Sequence, residues 1–424
     1  MANDSLKTKF IGILRKLERY TKTDMVYLTR GGFWSLSAQG VGALASFFVV
    51  LFLANVLTKE SLGQYRYILS LLSLLSIFTL PGISLSLIRS VAKGNSVDLP
   101  AIAKAKFRFG LLGSAAALIL AAYYFYNGNL MLTYGLLLSA IFFPFLETFF
   151  VYTFYFRGKQ DFKTPAIYES ISRLFQAVVI LLTAYLTRNI LVILAAFLIG
   201  QIIARLFFYK KTLRDEQLLH ATKGLDESQS DDTIQYGKSI SAISIFTTIT
   251  NNMDILIVGH FLGPAMLAIY YVALSIPKNI VLIFNIFPRL AFPKFSVKVW
   301  NSHEYAKILR KLGIMCIVLL VPALIYLVCV PVVLPLFFKA YDSSVAAASI
   351  LSLLIVASPL NAMVGQILYS RKFIKKTMVM EAISFGIFIA VFMLTYKTWG
   401  ASGAATALVA SEIVTFGVGL AFIR

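Results

Sequence analysis

Asn55-Val-Leu-Thr-Lys-Glu-Ser-Leu-Gly-Gln-Tyr65 is a polar turn set between two long apolar stretches. It returns in altered form as His260-Phe-Leu-Gly-Pro-Ala-Met-Leu-Ala-Ile-Tyr270. At a constant offset of 205 residues, Leu57 matches Leu262, Leu62 matches Leu267 and Tyr65 matches Tyr270. The same offset pairs Gly32 with Gly237 before the motif and Arg89 with Lys294 after it. Chance likeness between apolar segments would not keep one register before, within and after a turn. The chain therefore reads as two copies of one unit.

Outward from the motif, apolar stretches dominate. Of 424 residues, 59% are apolar and 14% charged, with mean hydropathy +0.81. Soluble domains carry about 45–50% apolar and ~25% charged residues, so an ordinary soluble enzyme is excluded. Membrane spans, each needing ~20 residues, are predicted at 31–54, 65–88, 109–126, 131–156, 166–186 and 190–208. A second set falls at 239–262, 267–290, 313–335, 346–369, 378–396 and 400–422, the ninth span broken by Pro331 and Pro335. Six spans separate the two motifs, so both copies insert with the same orientation, as parallel repeats. The expected fold is an all-α integral membrane protein with 12 transmembrane helices, in two six-helix bundles around a central cavity. Its parts are an amphipathic N-terminal segment (1–30), bundles at 31–208 and 238–424, and a polar linker at 209–237.

The charge is distributed unevenly. Lys and Arg number 39 against 19 Asp and Glu, and 33 of the cations fall on one set of connections against 5 on the other. Cations mark the cytoplasmic side, so both termini are expected there, in the cell membrane. The excess of +20 therefore sets topology and lipid contact and does not signal nucleic acid. Leu6, Phe10, Ile13, Leu14 and Leu17 share a helical face among basic residues, the pattern of a helix lying on an anionic leaflet. No cleavable signal pattern precedes the first span. Cys316 and Cys329 share one apolar stretch and the three histidines are scattered, so neither a disulfide framework nor a metal site is expected. No phosphate-binding Gly-rich loop is present, and no outer loop is large enough for an enzyme site. Asp231-Asp232 reads as solvated linker charge.

Ionisable side chains deep in a bilayer cost ~2.5–3.5 kcal/mol on insertion scales and mark candidate sites. Lys278 follows Pro277 midway along the eighth span. It reads as a contact to an anionic head group, or else as a buried partner of Asp254. Glu147 and Glu412 lie mid-span and Asp254 in the outer half of the seventh. Each suits a proton or sodium relay, or a hydrogen-bonded acid locking two helices. Arg66 opens the second span on the outer side, while Arg30 and Arg89 lie at inner helix ends beside the expected entrance. Glu169 and Arg173, four apart, read as an intrahelical pair. Arg205 and Glu381 are expected to snorkel to the inner surface, and Tyr123, Tyr124 and Tyr126 to form an interfacial belt.

Arg30-Gly-Gly-Phe-Trp-Ser-Leu-Ser, the Leu-Thr-Lys-Glu-Ser-Leu-Gly-Gln-Tyr turn, the Ser-Leu-Ile-Arg-Ser run ending at Ser90 and the Asn-Met-Asp254-Ile-Leu-Ile-Val-Gly-His-Phe-Leu-Gly segment resemble polysaccharide-type flippases. The resemblance is to the Wzx-like oligosaccharide flippase family, in the MOP superfamily with MATE drug exporters and MurJ-like lipid II flippases. It implies a non-enzymatic transporter that moves a polyprenyl-diphosphate-linked oligosaccharide from the inner to the outer leaflet for surface polysaccharide biosynthesis. No cofactor is implied beyond H+ or Na+ coupling. Expected partners are that substrate, membrane lipids, and glycosyltransferases or a glycan polymerase of the same pathway. Two other functions fit the same residues. A MATE-like cation-coupled drug antiporter would use an acidic cavity, and a membrane-embedded glycan polymerase or ligase would need larger outer loops.

Overall fold

Apolar segments of this length leave their backbone groups no water to bond, so helix is the form open to them. The computed structural model describes residues 25–95, 97–216, 227–285, 288, 302–371 and 373–423. Most of the amphipathic N-terminal segment, including its apolar face at 6–17, lies outside them, as do 217–226 of the linker. The described helices begin with α1 (Met25–Val56), α2 (Lys59–Leu75), α3 (Gly82–Ala92), α4 (Leu99–Tyr126) and α5 (Leu130–Thr148). Next come α6 (Val151–Gly158), α7 (Lys163–Leu186), α8 (Ile190–Asp215) and α9 (Glu227–Phe284). The last are α10 (Ser302–Phe337), α11 (Ser344–Leu351), α12 (Leu354–Ser370) and α13 (Ile374–Ile423). Among the described residues, nine helices are long and apolar enough to cross a membrane, or ten with the bent α2–α3 pair counted as one span.

Polar residues start these helices. Thr58 accepts from the Ser61 amide at 3.2 Å and Asp98 from Ala101 at 3.2 Å. Asn129 and Asn189 cap α5 and α8 in the same way, each satisfying a donor the helix leaves open. Between α2 and α3 a 3-10 turn, Ser76–Thr79, ends at Leu80 with φ 49°, and the axis bends by 52° before Gly82.

Two helices are too long for any bilayer. Helix α9 has 58 residues, which if straight would reach about 87 Å. It reverses at Gly263, where φ is 78°, a backbone state that glycine adopts without a steric penalty. The Tyr270 hydroxyl consequently donates to Asp254 Oδ2 at 3.1 Å, although 16 residues separate them. Helix α13 reverses at Gly400, so Lys376 Nζ, near its start, donates to the Phe422 carbonyl near its end at 3.1 Å. The expected pairs of spans at 239–262 and 267–290, and at 378–396 and 400–422, fall on these hairpins.

Packing runs both within and between the halves. α4 packs along α5 and α1 along α7 in the first half, while α13 gathers α9, α11 and α12 in the second. The halves meet where α9 lies along α2 and α3. Near the turn motif, a Cβ on Gly63 would collide with the Pro264 carbonyl. At the other end the Gly82 amide donates to Ser241 Oγ at 3.1 Å and Ser86 Oγ to the Thr233 carbonyl at 2.6 Å. Apolar side chains cover the outside: Ile317, Val321, Leu324, Val328 and Val332 leave α10 exposed along its length, as a lipid-facing helix requires.

Three expectations change. The ninth span is not broken: α10 runs continuously through Pro331 and Pro335, because proline's fixed φ is already helical and its cost is a lost bond and a bend. The third span starts at Leu99 rather than 109, which moves Lys104, Lys106 and Arg108 from a connection onto a helix. The linker shrinks as well, since α8 extends to Asp215 and α9 starts at Glu227.

Candidate functional site

Two cavities flank the return limb of α9, the stretch after Gly263. The first, about 820 Å³, is walled by α1, α2, α7 and that limb. Its charged residues are Arg66, Arg157, Arg173 and Glu169. Glu169 takes Arg157 at 3.1 Å and Arg173 at 3.7 Å, so cations are in excess. Gly42 on α1 makes room for Arg173, since a Cβ there would strike its guanidinium. The second cavity, about 510 Å³, is walled by both limbs of α9, by α12 and by α13. Asp254, Glu381, Glu412 and Lys278 line it, so acids are in excess.

The cavities are copies of one another. At the offset of 205, Ala45 and Thr250, Ser46 and Asn251, and Val49 and Asp254 line corresponding walls. So do Leu69 and Leu274, Gln176 and Glu381, and Ile180 and Phe385. Arg66 and Tyr271 are related by the same offset, and the Arg66 guanidinium stacks on the Tyr271 ring at 4.6 Å. Equivalent positions of two parallel repeats touch only beside the axis that relates them. Arg66 therefore stands at the contact between the two halves, near the turn motif.

Asp254 and Lys278 line the second cavity and Arg66 the first. Lys278 has Asp254 and Arg66 within electrostatic reach but no carboxylate within 4.0 Å among the described residues. It sits deep in the molecule, yet its side chain keeps free surface because that surface faces the second cavity. Asp254 is 7% exposed, and its Oδ1 has no hydrogen-bond partner among the described residues. The buried Arg66 Nε likewise lacks an acceptor. Glu412 Oε2 accepts from Asn361 Nδ2 at 2.7 Å. Glu381 bonds Thr250 and feels the charge of Glu412.

Two predicted residues, Arg89 and Glu147, lie elsewhere. Arg89 stacks on Tyr236 at 4.4 Å, in the contact between α3 and α9. Arg30 is on α1, in a stretch whose side chains lie outside the described set. Glu147 is outside both cavities and meets Arg205 at 3.1 Å and Lys106 at 3.9 Å.

Several residues of the site carry no signal along a single span. Glu381, read as snorkelling, lines the second cavity instead, because the hairpin of α13 lays it against α9 and Glu412. The Glu169–Arg173 pair forms as expected but faces the first cavity together with Arg157. The 205-residue offset held the signal for Glu381, through Gln176. Asp98 followed by Pro100 is a helix-start signal that would have placed Lys106 inside the bilayer span.

These features have relatives. The chain is similar to the lipid II flippase MurJ in an inward closed conformation, at 14% identity and TM-score 0.70 over 92% of this chain and 87% of that one. It is also similar to a variant of the MATE transporter VcmN of Vibrio cholerae, at 12% identity and TM-score 0.62, covering 94% and 95%. A MATE transporter in complex with MaD5 matches at 14% identity and TM-score 0.63, covering 94% of each chain. No curated protein matches the sequence. At these identities the likeness is one of fold. The family described as polysaccharide biosynthesis protein matches residues 28–299, more than half of the chain, and the chain belongs to that family.

Proposed function

We propose that this protein carries a polyprenyl-diphosphate-linked oligosaccharide across the cell membrane, from the inner leaflet to the outer, by alternating access. The observation that carries the reading is a pair of cations, Arg66 beside Tyr271 and Lys278 about two turns further along the return limb of α9. Neither is neutralised by a carboxylate within ion-pair distance among the described residues. A diphosphate cannot enter hydrocarbon without partners for its oxygens, since each unsatisfied polar group costs several kcal/mol. An open guanidinium and an open ammonium supply those partners, while the lipid tail stays in the bilayer. Arg30 and Arg89, at the far end of α1 and α3 from the turn motif, serve as collectors at the inner entrance.

In this reading each long hairpin crosses the membrane twice, giving twelve crossings in two bundles with both termini inside. The motif turns then face outward. Asp254 and Glu412, with Glu381 beside them, couple the movement to H+ or Na+. Glu147 takes no coupling part, because it lies outside both cavities and pairs with Arg205. Glycosyltransferases and a glycan polymerase would act on either side of the step.

A second reading has one observation in its favour: the acid-rich second cavity would suit an organic cation, as in a drug antiporter. Two assays separate the readings. Export of surface glycan in a strain relying on this chain should fail with Lys278→Gln or Arg66→Gln while both variants still insert. Normal export by both, together with drug resistance conferred by the parent chain, would transfer the assignment to the antiporter.

A further inference from the structure

A third cavity, about 330 Å³, lies beside the bend between α2 and α3 and shares no lining residue with the two described above. Its walls include Thr79, Ser84, Leu85, Lys106, Glu147 and Phe154. Lys106 is 2% exposed. Its ammonium reaches Glu147 Oε2 only at 3.9 Å, beyond hydrogen-bond distance, and lies 5.7 Å from the Phe154 ring centre. Arg205 holds the other carboxylate oxygen, Oε1, at 3.1 Å and also donates to the Leu146 carbonyl. One carboxylate thus faces two cations, and Arg205 is the one it satisfies. Lys106 is left as a buried ammonium that donates no hydrogen bond among the described residues. The Ser84 hydroxyl on the same wall also has no partner among them.

A buried cation in excess is costly unless an anion joins it. We propose that this pocket binds a phosphate group, with Lys106 as the charge partner and the Ser84 hydroxyl as a second donor. A phosphate oxygen accepts charge-assisted bonds from both, and its negative charge removes the local excess. Leu85, 49% exposed, also lines the pocket and brings it to the surface of the molecule. Lys106 lies seven residues into α4, about 10 Å along its axis, within reach of a head group from the nearer leaflet. The inference does not rest on the transport reading, since none of its residues touches either large cavity.

The test uses the full chain in nanodiscs of phosphatidylcholine, with and without phosphatidylglycerol. Native mass spectrometry counts retained phosphatidylglycerol, and the 31P linewidth of added inorganic phosphate is followed in the phosphatidylcholine discs. If the source is lipid, phosphatidylglycerol is retained and Lys106→Met lowers its retention about tenfold, the loss of one charge-assisted contact. If the source is free phosphate, the parent chain broadens the 31P line and Lys106→Met does not. In either arm Lys106→Arg keeps binding and Glu147→Gln, which removes the competing carboxylate, strengthens it. Should Lys106→Met fail to fold, Ser84→Ala and Glu147→Gln read the same site in opposite directions. Retention and linewidth that are unchanged across Lys106→Met, or across Ser84→Ala and Glu147→Gln, overturn the proposal. Absence of both signals in the parent chain does so too.

Discussion

The two large cavities have one plan and opposite chemistry. Where the first half has Ala45, Ser46, Val49 and Gln176, the second has Thr250, Asn251, Asp254 and Glu381 on the matching wall. Where the second half has Ala362, the first has Arg157. At positions 205 apart the two walls share a register but differ in charge, one basic and the other acidic. An anionic head group and a coupling cation can then be served at once by adjoining spaces, with Arg66 and Tyr271 on the axis between them.

That division can be broken from either side. The largest effect is expected at the axis. Arg66→Gln removes the guanidinium there, and glycan export should fall about 10- to 100-fold, the range for losing a hydrogen-bonded charge. Export by the variant at the parent rate would detach Arg66 from the substrate. Next is Val49→Asp, which gives the basic cavity the acid of its partner. Export should drop by roughly tenfold through repulsion of the head group, while the mirror change Asp254→Val should instead abolish dependence on the ion gradient. If both variants lose the same property, the cavities are not specialised.

A smaller effect is expected where the halves close. Gly63→Val places side-chain atoms against the Pro264 carbonyl, an overpacking cost of about 1–3 kcal/mol. Cross-linking between α2 and α9 at the motif end should fall, and unchanged cross-linking would show that this contact does not hold the halves together. The smallest concerns Arg173→Gln. Arg157 still holds Glu169 at 3.1 Å, so export should change no more than about threefold, as for a partly exposed pair. A loss as large as that of Arg66→Gln would extend the substrate contact into the cavity wall.

Much of the fold was legible because a membrane reduces the choices. Apolar length marks the helices, and the motif at Asn55 and His260 marks the duplication. The chain reversal at Gly263 falls between two expected spans, and that at Gly400 on the first residue of the last one. Proline misled at α10, where Pro331 and Pro335 look like breaks but sit in a continuous helix. Lys106 was misread because helix α4 begins a full turn or more before its strongly apolar part, so a cation near a span's edge looks like loop. For the site, Lys278, Asp254, Glu412 and Arg66 stood out individually, since charge in an apolar run is conspicuous. What the sequence hid was partnership. Glu381 next to Glu412, and Glu147 between Lys106 and Arg205, depend on helix faces and hairpins that no spacing along one span reveals.

The central claim is that the anion is held at the axis while the acids of the second cavity serve another task. Calorimetric titration of the purified chain with geranyl diphosphate tests it most directly. The parent chain should bind the diphosphate, Arg66→Gln and Lys278→Gln should lose that binding, and Glu412→Gln should retain it. Binding that survives Arg66→Gln and Lys278→Gln but disappears with Glu412→Gln would contradict the division of labour between the two halves.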